Sequence, residues 1–122
     1  MGSMPAFLLD RLYVRGSLKN TATGFELTIQ NTLAPGTIVG IELLRVDGEE
    51  YALERIRAAL PDGTQLSNSE LSVQSPLRFA VGDRVTIQVD GAPLSPGLHK
   101  LVISPKTKET GVLHIRAADN ID

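Results

Sequence analysis

Apolar and polar residues alternate along much of the chain. Between Arg11 and Asn20, Leu12, Val14, Gly16 and Leu18 fall on one side of an extended chain. Arg11, Tyr13, Arg15, Ser17 and Lys19 fall on the other. That period of two predicts a half-buried strand. Asn20 to Gly24 reads as a turn, and Phe25, Leu27 and Ile29 then point inward along a second strand, so the pair predicts a β-hairpin. Thr37 to Val46 is long and rich in β-branched residues, with Gly40 marking a bulge. Asp47-Gly48 fits a tight hairpin turn. Val85, Ile87 and Val89 alternate cleanly with Thr86, Gln88 and Asp90, and two further strands cover Leu98–Ser104 and Val112–Ala117.

Two stretches depart from the alternation. Glu49 to Leu60 contains good helix formers, yet its apolar face switches between Leu53 and Ile56, as in two short strands; strand and helix both remain open. Ser67 and Glu70 stand at capping-box spacing and predict one helical turn over residues 67–71. About eight short strands with frequent turn signals predict an all-β fold, a two-sheet antiparallel β-sandwich of immunoglobulin-like or jelly-roll-like type. Val46-Asp47-Gly48 recurs as Val89-Asp90-Gly91 and reads as two hairpin turns of one type. Leu94-Ser95-Pro96-Gly97-Leu98-His99 resembles the tyrosine corner of immunoglobulin-like sandwiches. Pro96, Gly97 and His99 are therefore structural-corner candidates, with the imidazole as the donor that reaches back to the backbone.

Composition narrows the function classes. The first residues, Met1-Gly2-Ser3, read as an expression-tag remnant, leaving residues 4–122 as a single domain. There is no cysteine, which excludes disulfides and thiolate metal sites and fits a cytoplasmic protein. Net charge is −2 with the charges interspersed, so no basic stripe for nucleic acid is expected. No apolar run is long enough to span a membrane. Aromatics are few and Trp is absent, which argues against stacking platforms for sugars or bases.

Little chemistry is legible. His99 and His114 have no ligand spacing around them, so a corner residue and a surface residue outweigh a metal site. Glu49-Glu50 is a paired carboxylate at a turn, and solvation outweighs glycosidase chemistry there. No serine has nucleophile context, and no glycine pattern fits a phosphate loop. No catalytic residue, metal ligand or cofactor is expected in this chain. The loop Asn31, Thr32, Leu33, Ala34, Pro35 and Gly36 is more apolar than a free turn requires. It is the candidate partner interface, with Leu33 as a simple core cap the competing reading.

Five segments stand in a suggestive order: Arg15-Gly16-Ser17-Leu18-Lys19-Asn20-Thr21, Gly24-Phe25-Glu26-Leu27, Leu44-Arg45-Val46-Asp47-Gly48-Glu49, Phe79-Ala80-Val81-Gly82-Asp83 and Leu94 to His99. Through them the sequence resembles the β-subunit family of bacterial C-glycoside deglycosidases. The resemblance implies a non-catalytic β-sandwich subunit. Its partner would be a larger barrel-type catalytic subunit that holds a divalent metal such as manganese and cleaves 3-oxo C-glycosides. The alternative is a freestanding binding or assembly module that associates with itself.

Overall fold

The computed structural model describes residues 5–122, so the Met1-Gly2-Ser3 segment lies outside the described residues. Within them the chain forms one short helix, α1 (Ala6–Asp10), and eleven strands. The first four strands are β1 (Lys19–Asn20), β2 (Gly24–Gln30), β3 (Gly36–Val46) and β4 (Glu49–Glu50). They are followed by β5 (Ile56–Ala59), β6 (Gln65–Ser67), β7 (Leu77–Phe79) and β8 (Arg84–Asp90). The last three are β9 (Gly97–Thr107), β10 (Gly111–Val112) and β11 (Ile115–Ile121).

Two antiparallel sheets face each other, which is the all-β sandwich the alternation predicts. One runs β1-β2-β8-β5-β6; the other runs β10-β9-β3-β4, with β11 on β9 and β7 on β3. The two cleanest alternations, β2 and β8, pair directly, with Phe25 opposite Val89, Leu27 opposite Ile87 and Ile29 opposite Val85. All six side chains are buried. They meet Ile41, Leu44 and Val46 of β3 and Leu101 and Ile103 of β9 in one core. Phe25 is fully enclosed and stands edge-on to Tyr51, ring centroids 5.3 Å apart. Gly24 must be glycine for space: a Cβ there would run into the Val89 carbonyl oxygen and come within 2.9 Å of the Gly91 nitrogen.

Several local expectations need correction. Arg11–Asn20 is not one strand: only Lys19 and Asn20 pair with β2, and Tyr13 makes a single bridge to Ile29. The reason lies at the far end of the chain. Asp119 Oδ2 accepts from the Tyr13 hydroxyl at 2.6 Å, the Gly16 N–H at 2.9 Å and the Leu18 N–H at 3.4 Å. Tyr13 is thereby drawn inward beside Leu12, which breaks the alternation. Burial pushes the Tyr13 hydroxyl well above its ordinary pKa, and the Asp119 hydrogen bond adds to this. Burial opposes ionisation of Asp119, but its hydrogen bonds, from Tyr13 first, outweigh it and hold the carboxyl below its usual value.

The stretch from Glu49 to Leu60 resolves as strand, a 3-10 turn over Leu53–Arg55, then strand. The 3-10 turn sits where the apolar face switches. The turn expected at residues 67–71 is a 3-10 turn over Asn68–Glu70 with a reciprocal Ser67–Glu70 capping box. The two Val-Asp-Gly segments are not the same turn. Asp47 and Gly48 have φ of 52° and 84°, as a tight two-residue hairpin demands. Gly91 has φ of 158° and starts the crossing from β8 in one sheet to β9 in the other.

β11 is an edge strand, and edges invite pairing with other chains. Here the edge is covered: α1 packs on it, and Asp10 Oδ1 accepts the Arg116 N–H at 3.0 Å.

Candidate functional site

Three places hold side chains whose identities could carry chemistry or recognition. The first is the corner at the start of β9. Asp47, in the β3–β4 turn, receives the Lys100 N–H on Oδ1 at 2.8 Å. Its Oδ2 lies 2.7 Å from His99 Nδ1. His99 Nε2 lies 2.7 Å from the Ser95 carbonyl oxygen. Both ring nitrogens therefore face acceptors, an arrangement that favours the doubly protonated, charged imidazole. The Ser95 carbonyl first, and then Asp47, raise the His99 pKa. The Lys100 N–H first, and then His99, lower that of Asp47. Pro96 and Gly97 form the bend that brings Ser95 over the ring, with Gly97 at φ 116°. Asn20 ties the same connection to β1 through paired bonds to the Leu94 backbone at 2.8 and 2.9 Å.

Serine, histidine and aspartate meet here, but not as a nucleophilic triad. Serine contributes its carbonyl, not its hydroxyl. The histidine is buried with both ring nitrogens already facing acceptors, so neither is placed to take a proton from a serine hydroxyl. The arrangement is a staple between a hairpin turn and the sheet-crossing corner.

The staple makes stability depend on pH. His99 has a raised folded pKa, so its contribution is complete below the unfolded value of about 6.5 and is lost as pH rises through the folded value. Asp47 has a lowered one, so its contribution is complete above about 3.9 and is lost as pH falls through the folded value. Both act in full between about pH 4 and 6.5. Thermal melts should show the midpoint falling above that window in the wild type. His99→Gln should flatten this alkaline limb, and an unchanged limb in the variant would refute the assignment.

The second place is the pair Ser104 and His114, with Oγ and Nδ1 2.8 Å apart. Ser104 is completely buried, so its hydroxyl cannot meet a substrate. No acid group orients His114 among the described residues, nor do three or more histidine, aspartate or glutamate side chains converge as metal ligands.

The third place is the loop from Asn31 to Gly36. Asn31 is buried, and its amide donates to the Phe79 carbonyl at 2.6 Å and the Ala34 carbonyl at 2.8 Å. Its Oδ1 accepts the Leu33 N–H at 3.0 Å. This Asx turn presses Leu33 onto the core while Thr32, Ala34 and Pro35 stay exposed. Beneath the loop lies a cavity of about 60 Å³ bounded by Leu12, Leu33, Phe79 and Leu113. Elsewhere, a groove of about 550 Å³ runs between the β5–β6 turn and the turn before β8, with Leu60, Pro61, Arg78 and Arg84 along it. Its acids are engaged: Asp62 accepts the Thr64 N–H and Asp83 the Ala80 N–H, both at 2.9 Å.

Residues 8–122 match the family model of the hydroxymethylglutaryl-CoA reductase, N-terminal domain. The chain belongs to that family. None of the curated proteins compared with this chain matches it in sequence.

The family assignment corrects the resemblance to C-glycoside deglycosidase β subunits, and with it the association with a carbohydrate lyase complex. The physical reason is visible in the segments that carried it. Arg15-Gly16, Asp47-Gly48 and Pro96-Gly97 are positive-φ glycine turns, and Gly24-Phe25-Glu26-Leu27 is an ordinary core strand. Such pieces are the shared grammar of sandwich folds and identify none of them. The manganese-bearing barrel partner was implied by that resemblance and is not carried forward. The match gives no support to a freestanding self-associating module either.

No described helix of the chain is long and apolar enough to cross a membrane.

Proposed function

We propose that this domain serves as a non-catalytic module for the catalytic region of a hydroxymethylglutaryl-CoA reductase. The observation that carries the reading is the family match over residues 8–122, to an N-terminal domain of that enzyme. The site geometry agrees with it. The polar groups most like catalytic ones are used up in holding the fold: His99 between Asp47 and Ser95, Ser104 sealed beneath His114. A scaffold with its turns stapled this way offers a rigid surface rather than a reactive centre. The cytoplasmic setting expected from the cysteine-free composition is part of the same proposal.

The test has two arms. The isolated chain, mixed with hydroxymethylglutaryl-CoA and a reduced nicotinamide, should give no oxidation of the nicotinamide above the buffer rate. Mixed with a hydroxymethylglutaryl-CoA reductase catalytic region from the same source, it should co-elute on size exclusion at micromolar concentration. Turnover by the isolated chain, or two separate peaks, would reject the reading.

A further inference from the structure

The cleft between the segment that follows α1 and the outer side of β11 has a volume of about 500 Å³ and is lined by Arg11, Arg15 and Arg116. We propose that it binds a small phosphate-bearing molecule through these three guanidinium groups.

The first argument is charge left uncompensated. Arg45 and Arg57 elsewhere on the protein have carboxylate partners, Glu50 and Asp90. Among the described residues, the guanidinium groups of Arg11, Arg15 and Arg116 make no hydrogen bond or ion pair. Asp10 is the single acid in the lining, so three arginines against one aspartate leave a charge of +2. Asp10 already accepts the Arg116 backbone N–H. Asp119, the nearby acid on β11, lies outside the lining and receives Tyr13, Gly16 and Leu18 instead.

The second argument is shape and donor geometry. Ala117 and Ala118 line the cleft on the β11 side, where larger side chains would fill it. The volume falls in the range of roughly 300–1,000 Å³ typical of small-molecule sites. Guanidinium groups offer planar forks that match phosphate oxygens two at a time. A single carboxylate would occupy one fork and leave the others idle, whereas a phosphate monoester or a diphosphate brings about two negative charges to balance the cleft. An extended polyanion is disfavoured, because the protein as a whole carries −2 and its other unpaired arginines, Arg55 and the Arg78–Arg84 pair, lie outside the cleft and form no continuous stripe with it.

Titration calorimetry with inorganic pyrophosphate at low ionic strength tests the assignment. Saturable one-to-one binding is expected. Arg15→Gln and Arg116→Gln should each weaken it about tenfold or more, as the loss of charge-assisted hydrogen bonds implies. Their melting midpoints should match the wild type, since neither side chain makes a native polar contact. Arg78→Gln, in the separate groove, should bind as the wild type does. The proposal is overturned by the absence of saturable heat. It is overturned equally if Arg78→Gln weakens binding as much as the cleft variants, because that would reveal diffuse attraction without a site.

Discussion

Phe25→Ala is expected to cost about 3–5 kcal/mol of folding stability, the largest loss of any single side chain considered. The ring is wholly enclosed, sits opposite Val89 across β2 and β8, and meets Tyr51 edge-on. Truncation removes the transfer energy of the ring and leaves a cavity that the sheets on either side cannot close. The edge-on contact adds roughly 0.5–1.5 kcal/mol that an aliphatic replacement would also lose. Small domains are stable by about 5–15 kcal/mol, so the variant should lie near the threshold of folding. Urea melts should show the midpoint concentration falling sharply with the slope unchanged. Phe25→Leu should keep most of the stability. A loss under about 1 kcal/mol in the alanine variant would mean that the two sheets close around the gap, contrary to a fixed sandwich core.

Asn31→Ala is expected to follow, at about 2–4 kcal/mol, through polar groups rather than volume. The substitution removes both donors to Phe79 and Ala34 and the acceptor for Leu33. The buried Phe79 carbonyl would lose its side-chain donor while the Ala34 carbonyl and the Leu33 N–H lose their partners in the same turn, so three bonds fail together. Asn31→Asp separates this account from simple loss of packing. It keeps the acceptor for Leu33 but sets a carboxylate against two carbonyl oxygens. Its folded pKa must therefore be raised, so the defect should be full near neutral pH and shrink as the group protonates in acid. Chemical denaturation at two pH values reads this directly. A defect that does not change with pH would remove the hydrogen-bonding explanation for the loop.

Much of the fold was legible because it is local. The alternations in β2 and β8, the glycine-bearing hairpin turn at Asp47-Gly48 and the Ser67–Glu70 capping box all report on neighbours within a few residues. What the residues hid depends on distant partners. Arg11 to Leu18 has the spacing of a strand, but Asp119 claims its donors. Val89-Asp90-Gly91 copies the turn sequence of Val46-Asp47-Gly48 yet crosses between sheets, because both sides of β8 are taken, by β2 and by β5. The five-residue α1 has no apolar period long enough to register; it exists because Leu9 is buried and β11 offers an edge to cover.

The candidate sites follow the same division. His99 and Ser95 are sequence neighbours, but Asp47, which completes the staple, is 52 residues away and carries no sign of it. The arginine cleft could not be read at all, since Arg11 and Arg15 meet Arg116 only once the sandwich has closed.

The docking of residues 10–18 onto β11 also constrains the order in which the protein can be built. Tyr13 and Asp119 are 106 residues apart. During synthesis the first segment leaves the ribosome long before Asp119 exists, and until then its anchors are local ones on β2: the Val14 N–H on the Thr28 carbonyl oxygen and the Gln30 N–H on the Leu12 carbonyl oxygen. It can hold to β2 while β3, β8 and β9 assemble, but the contacts of Tyr13, Gly16 and Leu18 with Asp119 form only when β11 arrives. The entropy of closing so large a loop grows only as the logarithm of its length, so the delay itself adds little to the thermodynamic cost. Its effect is on sequence of events: the segment acts as a final latch, and a ribosome stalled before Asp119 would hold a chain whose Arg11 and Arg15 still wait for the strand that completes their cleft.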